Sequence, residues 1–316
     1  MARYFKIKDS KTIRLAFVFT LLVFLVGCKN SVGAEEGQVD TSSPIMTVTM
    51  FNVGKADSIL VQVGGKNVLV DTGLYKNGKD LINSLRAKNV KNVDQLYMTH
   101  PHADHIGGVM PILNNLSVKT IYDTGIINPD SKLYPMIIKK AKEKNIPVKS
   151  IVGPMTIDIT PDAKFEVLWP LADTLSDKDA EINYKSVVMR LVYKKFSVMF
   201  TADSYKESEY NIMKKYSKDK LEADILKVAH HSSNTSTSYE WLKTVNPKVA
   251  IASYANKPGV EFGKYPNKKT LNRILDQGIK FYGTEENGNI TITTDGNTYN
   301  VKADRGGARW YLTQQI

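Results

Sequence analysis

Cysteine is almost absent: Cys28 is the only one in 316 residues, which excludes an intramolecular disulfide framework and any cysteine-based zinc module. A bound metal would have to be held by histidine and carboxylate side chains. Acids are the scarcer charge, 32 Asp and Glu against 43 Lys and Arg, for a formal net charge of +11. That balance suits acidic partners such as phosphate polymers or an anionic membrane surface. No internal repeat stands out beyond a loose echo of strand clusters in the two halves, and no run of aromatics offers bases a stacking track. What remains is ordinary: 42% apolar and 24% charged residues, a globular composition, neither collagenous nor disordered. The length suits one large α/β unit with a sizeable core.

Long apolar runs are confined to the start. Arg3, Lys6, Lys8, Lys11 and Arg14 form a basic region, and the apolar run over 15–26 follows at once. It is short for a transmembrane span and reads as a secretion signal. It ends Leu25-Val26-Gly27-Cys28, which resembles the lipobox of bacterial lipoproteins. The resemblance implies a signal peptide over 1–27, lipidation of Cys28, and an extracytoplasmic protein held to the bacterial membrane by its lipid anchor only. Loss of 1–27 removes those five basic groups and Asp9, leaving a net charge of +7. Residues 28–45 are polar and small, with too few apolar groups to fold, and read as a flexible tether.

A regular pattern begins at Met46 and predicts a folded domain over 46–304, with a tail over 305–316 that carries no usable pattern. Short β-branched runs over 46–53, 58–63 and 67–70, broken by Gly54, Gly64-Gly65 and Gly73, predict a strand meander. Leu81, Ile82 and Leu85 recur at helical spacing, as do apolar residues over 136–141, 210–213 and 271–275. Strands are expected over 95–98, 165–168, 187–193, 198–200, 225–228 and 248–251, and a closing hairpin around Asp295-Gly296. Sheet interleaved with helix predicts an α/β fold.

All five histidines fall in two short stretches, His100-Pro101-His102-Ala103-Asp104-His105 and His230-His231. A strand end followed by a loop lets His100 and His102 converge on one point, while Asp104 and His105 face a second. Imidazole and carboxylate suit zinc, manganese or iron, and catalytic sites leave a coordination position open for water. Gly107 and Gly108 allow a tight backbone path beside them. Two further apolar strands end in chemistry, one in Thr201-Ala202-Asp203 and one in Val228-Ala229-His230. Gly54-Lys55 fails as a phosphate-binding loop, because Thr49 and Ala56 stand where glycine and a hydroxyl are required. Paired Asp-Thr-Gly motifs at 71–73 and 123–125 would suit an aspartic protease but leave every histidine unexplained.

The set Thr99-His100-Pro101-His102-Ala103-Asp104-His105-Ile106-Gly107-Gly108, Thr201-Ala202-Asp203 and Leu226-Lys227-Val228-Ala229-His230-His231-Ser232-Ser233 resembles the metallo-β-lactamase fold, and within it the ComEC-type branch of competence-protein hydrolase domains and free-standing exported relatives. The resemblance covers 46–301. It implies a four-layer αβ/βα sandwich and two divalent metal ions, zinc or alternatively manganese. It implies that His100 and His102 bind one metal, Asp104 and His105 the other, that Asp203 bridges both, and that His230 completes the second site. Asp71 would support the ligands from behind. His231 would replace His230 as ligand or act with Asp104 in catalysis, and Asn183, Ser232 and Ser233 would contact substrate. Ser232, Ser233 and Asn234 read equally well as the N-cap of a helix over 236–242. The branch's usual glycines are Ala202 and Ser232 here, and no histidine stands between His105 and His230. The implied reaction is hydrolysis by a metal-activated hydroxide. A phosphodiester is the expected substrate, of the cell envelope, a small diester or DNA. A lactone, β-lactam or thioester hydrolase, or a non-enzymatic metal-dependent surface binding module, is the alternative.

Overall fold

The computed structural model describes residues 33–256 and 265–309. Segment 1–27, read above as a signal, the expected lipidation residue Cys28 and the tail beyond Arg309 lie outside the described residues.

Two sheets carry the unit that begins at Val32. The first has nine strands in the order Glu35–Glu36, Thr298–Ala303, Ile290–Thr294, Met46–Met50, Ile59–Val63, Lys66–Val70, Gln95–Met98, Ile121–Asp123 and Val148–Ser150. The second has seven: Met155–Thr160, Ala163–Trp169, Val188–Tyr193, Phe196–Phe200, Ile225–Lys227, Val249–Ala252 and Lys280–Gly283. Each has an antiparallel centre that turns parallel, from Lys66–Val70 onward in the first and from Phe196–Phe200 onward in the second, and the first also adds Glu35–Glu36 in parallel at its opposite edge.

Strand alternation sorts the side chains into layers. Ile59, Val61 and Val63 face the second sheet and pack with Val198, Phe200, Ile225 and Val249, while Leu60, Leu69, Leu96 and Met98 face the helices of the first sheet. Met199, Leu226, Ala250 and Phe281 face the helices of the second. The layers therefore run helix, sheet, sheet, helix. Helix Gly78–Ala87 shows why its sequence folds this way: Gly78, Leu81, Ile82 and Leu85 make one buried stripe at helical spacing. Helices Leu133–Glu143, Lys206–Lys215 and Lys268–Leu275 and the hairpin at Asp295-Gly296 stand where periodicity placed them. Strand Met155–Thr160 was not read from the sequence; it lies at a sheet edge with exposed Thr156 and Asp158, so its apolar signal is weak.

The segment read as a tether makes contacts from Ala34 onward. Ala34 is buried, Glu35–Glu36 pairs parallel with Thr298 and Tyr299, and the Asp40 amide donates to Asp295 Oδ2 at 3.1 Å. Edge pairing of this kind uses backbone groups, so it leaves no apolar pattern to read.

Candidate metal centre

The parallel strands of both sheets end in the site. Lys66–Val70 runs into Asp71, Gln95–Met98 into His100, Phe196–Phe200 into Asp203, and Ile225–Lys227 into His230 and His231. In open α/β sheets this is the edge where side chains of several strands meet. The chain there leaves regular geometry: φ is +58° at Asp71, +42° at Ala202, +48° at His230, +52° at His231 and +67° at Ser232. Such conformations cost non-glycine residues roughly 1–3 kcal/mol each and persist only where the surroundings fix them. Here the His230 amide donates to the Ala202 carbonyl at 3.0 Å and the Ser233 amide to the His230 carbonyl at 2.8 Å.

Gly107 and Gly108 serve close approach. A Cβ on Gly108 would stand 2.2 Å from the Thr72 carbonyl oxygen, and one on Gly107 2.5 Å from the Tyr75 nitrogen. Their absence lets the short helix Ala103–Ile106 press onto the loop after Asp71, where the Thr72 amide donates to the His105 carbonyl at 2.7 Å.

Asp104, His105, Asp203 and His231 bring one ligand atom each within 4.8 Å of one another. His105 Nε2 lies 3.3 Å from Asp203 Oδ1, His231 Nε2 3.3 Å from Asp104 Oδ2 and 3.6 Å from Asp203 Oδ2. Two ligands about 2.1 Å from one tetrahedral ion stand about 3.4 Å apart, so the spacing fits a shared cation. Both rings are held from behind: His105 Nδ1 meets Asp71 Oδ2 at 2.7 Å, and His231 Nδ1 donates to the Ser253 carbonyl at 2.9 Å. With Nδ1 so engaged, each Nε2 lone pair points into the group. His105 Nε2 and Asp203 Oδ1 are buried without a hydrogen-bond partner, which is what a cation would satisfy.

The electrostatics agree. Burial opposes charge on both partners, yet His231 and His105 hold the Asp203 carboxyl well below its ordinary range, and Asp203 and Asp71 hold His105 well above its own. Asp104 is likewise lowered against burial, by its hydrogen bond to His231 and the charge of His105. His100 is pushed well below the usual imidazole value by burial and by neighbouring His105.

His100 and His102 form an adjoining pair, Nε2 to Nδ1 at 3.1 Å, with the His100 ring 4.1 Å from that of His105 between centroids. His230 turns outward: its Nδ1 is 2.8 Å from Thr235 Oγ1 and its Nε2 3.8 Å from Asp203 Oδ2. Asn183 reaches this rim through Tyr205, donating to its hydroxyl at 3.3 Å, and the Tyr205 ring lies 5.7 Å from that of His230. Ser232 Oγ is buried without a partner, while Ser233 Oγ accepts from the Thr235 amide at 3.3 Å. Neither caps a helix. The helix spans Tyr239–Val245 and Ser238 is its cap, accepting from the Trp241 amide at 3.2 Å.

Sequence reading assigned no role to Asp57, Ser253, Tyr205 or Lys227. For Lys227 a signal existed, since a lysine ending the apolar strand Ile225–Lys227 has to find a buried partner.

Residues 52–178 match the metallo-beta-lactamase superfamily. ComE operon protein 3 of Bacillus subtilis (strain 168) is 29% identical over 290 residues, 85% of this chain and 34% of that protein. Competence protein ComA of Neisseria gonorrhoeae is 29% identical over 244 residues, 76% of this chain and 31% of that protein. The chain thus spans about a third of the length of these relatives. Among solved structures, the CmlA beta-hydroxylase E377D mutant superposes with a TM-score of 0.52 at 16% identity, over 77% of this chain and 53% of that one. At that identity the likeness concerns the fold alone. Over residues 52–178 the chain is thus similar to the metallo-beta-lactamase superfamily, and Asp104, His105, Asp203 and His231 form a candidate metal-binding cluster at the strand ends.

Proposed function

We propose that the chain is an exported metal-dependent phosphodiesterase, anchored to the bacterial membrane through lipid on Cys28. The observation that carries the catalytic part is the group Asp104, His105, Asp203 and His231, drawn from three strand ends, within 4.8 Å. Export rests on the basic region and apolar run that end at Cys28.

Asp203 lies among three imidazoles, those of His105, His231 and His230, and would serve as the shared ligand of the site. Asp104, His105 and His231 would hold one ion, and His100 with His102 a second. His231 takes the ligand place because it is buried and faces both carboxylates, whereas His230 has 20% of its side chain exposed. His230, Asn183, Ser232 and Ser233 form the substrate side. Bound divalent ions supply Lewis acidity and lower the pKa of water toward neutrality. Hydrolysis adds water across one P–O ester bond; in this reading His230 would hydrogen-bond the departing oxygen, and Asp71 keeps the His105 ring fixed.

A diester is favoured by the basic chain and by a relative named as a competence protein, which points to a DNA context. Turnover of bis-(p-nitrophenyl) phosphate and of a chromogenic β-lactam by the purified, metal-loaded protein tests the reading. Diester cleavage abolished by a chelator is expected; efficient lactam cleavage with no attack on the diester would overturn it.

A further inference from the structure

Lys227 is a long cationic side chain with 1% of its surface exposed, paired with Asp57, itself 2% exposed. Its Nζ lies against Asp57 Oδ2 and donates to the Ala202 carbonyl at 2.9 Å. Its own carbonyl accepts from Thr201 Oγ1 at 2.5 Å. Lys227 ends strand Ile225–Lys227 of the second sheet and Thr201 follows its strand Phe196–Phe200, while Asp57 precedes strand Ile59–Val63 of the first. Asp57 is tied in turn to the histidine motif: its amide donates to the Asp104 carbonyl at 3.1 Å and its carbonyl accepts from the Gly73 amide at 2.8 Å. Its carboxylate stands behind both buried rings, 3.6 Å from His231 Nδ1 and 3.9 Å from His105 Nδ1.

Two consequences follow from this placement. Asp57, Asp71 and His105 have the spacing of a further cation site, but the Lys227 ammonium already stands on Asp57. An ammonium is a compact point charge with three donors, and here it serves as the resident cation. The second consequence concerns Ala202, the left-handed residue immediately before Asp203. Its carbonyl accepts from Lys227 Nζ and from the His230 amide, so both donors fix the peptide from which Asp203 projects.

We propose that Lys227, through Asp57 and the Ala202 carbonyl, is a positioning residue that ties the two sheets together at the metal centre and holds Asp203 in register with Asp104 and His105. The inference rests on the metal-centre reading above. Loss of such a supporting contact typically weakens metal binding about 10–100-fold.

The test compares the purified wild-type chain, Lys227→Met and the double variant Asp57→Asn/Lys227→Met, by competing zinc away with a chromogenic chelator and by measuring the thermal midpoint of the metal-free proteins. Lys227→Met leaves Asp57 buried and alone, so its metal-free midpoint falls; removal of the second charge raises the midpoint again in the double variant. Both variants are expected to hold zinc about 10–100-fold less tightly, because in each the Ala202 carbonyl loses its Lys227 donor and keeps only the His230 amide. A purely structural salt bridge moves the midpoint and leaves zinc affinity alone. Wild-type zinc affinity in the folded double variant therefore overturns the proposal, even where the single variant fails to fold. A wild-type chain that takes up no zinc overturns the metal-centre reading and this inference with it.

Discussion

His105 shows how much of the site one residue carries: Asp71 holds one ring nitrogen at 2.7 Å and the other points, unpartnered, at Asp203. Asp71 also accepts from the Thr99 amide at 2.9 Å and hydroxyl at 2.7 Å, so it fixes the strand end as well as the ring. Asp71→Ala is expected to cost about 10–100-fold in metal affinity, measured by chelator competition; unchanged affinity would contradict that role. Gly108→Ala drives a methyl into the Thr72 carbonyl, 2.2 Å away. Overpacking against fixed backbone should cost about 1–3 kcal/mol or more, read as a lower denaturation midpoint. The convergence of the histidine motif and Asp203 was legible because each ends an apolar strand, whereas Asp71 came from the family resemblance alone. The choice between His230 and His231 was not, because neighbouring residues in a left-handed turn follow neither strand nor helix period and their directions are set by Ala202, Ser253 and Thr235.

At the level of elements, helix Lys206–Lys215 supports the loop that carries the paired histidines. Glu209 accepts from the Thr237 amide at 2.5 Å and the Ser238 amide at 2.9 Å, a contact between residues 28 and 29 apart that no local pattern announces. It explains why the cap reading of Ser232 and Ser233 moved to Ser238: Glu209 meets the Thr237 and Ser238 amides, and the helix begins only beyond them. Burial pushes the Glu209 carboxyl up from 4.5 to about 7, against the hydrogen bonds from Ser238 and Thr237. The folded chain therefore keeps a proton that the unfolded chain gives up. The associated stability is fully present below pH 4.5 and is lost as pH rises through about 7, a change of up to roughly 3 kcal/mol. Glu209→Gln removes that titration. Asp224, raised to about 6 chiefly by burial, titrates alike in both proteins, so the difference between them isolates Glu209. Metal-free wild type should lose more stability than Glu209→Gln between pH 5 and 8 in denaturant titrations; parallel curves would contradict the assignment.

Across the whole molecule, the alternation of sheet and helix and most of the interior strands were legible, because those elements bury one face and show it in their period. Edge pieces were not, since Glu35–Glu36 and Met155–Thr160 are held largely by backbone pairing. Basic side chains also gather along one stretch of the chain. Exposed Lys76, Lys79 and Arg86 line a groove of about 830 Å³ with Tyr75 and Met136, on the helical layer of the first sheet. None of the metal-centre residues lines it. If the diester is a single strand of DNA, each phosphate contact there contributes a log–log salt slope near −0.7. Lys79→Glu/Arg86→Glu should flatten the slope of binding by about 1.4 while leaving cleavage of bis-(p-nitrophenyl) phosphate unchanged; an unaltered slope would remove this face from the nucleic-acid path.

The central claim is that Asp203 unites the ligands of a hydrolytic metal centre. It is tested most directly by measuring bound zinc and bis-(p-nitrophenyl) phosphate turnover in one preparation each of wild type, His102→Ala and Asp203→Ala. The account predicts that wild type binds two ions and turns over the diester, that His102→Ala loosens mainly one ion, and that Asp203→Ala loosens both and loses turnover. An Asp203→Ala protein that keeps two tightly bound ions and wild-type turnover would contradict it.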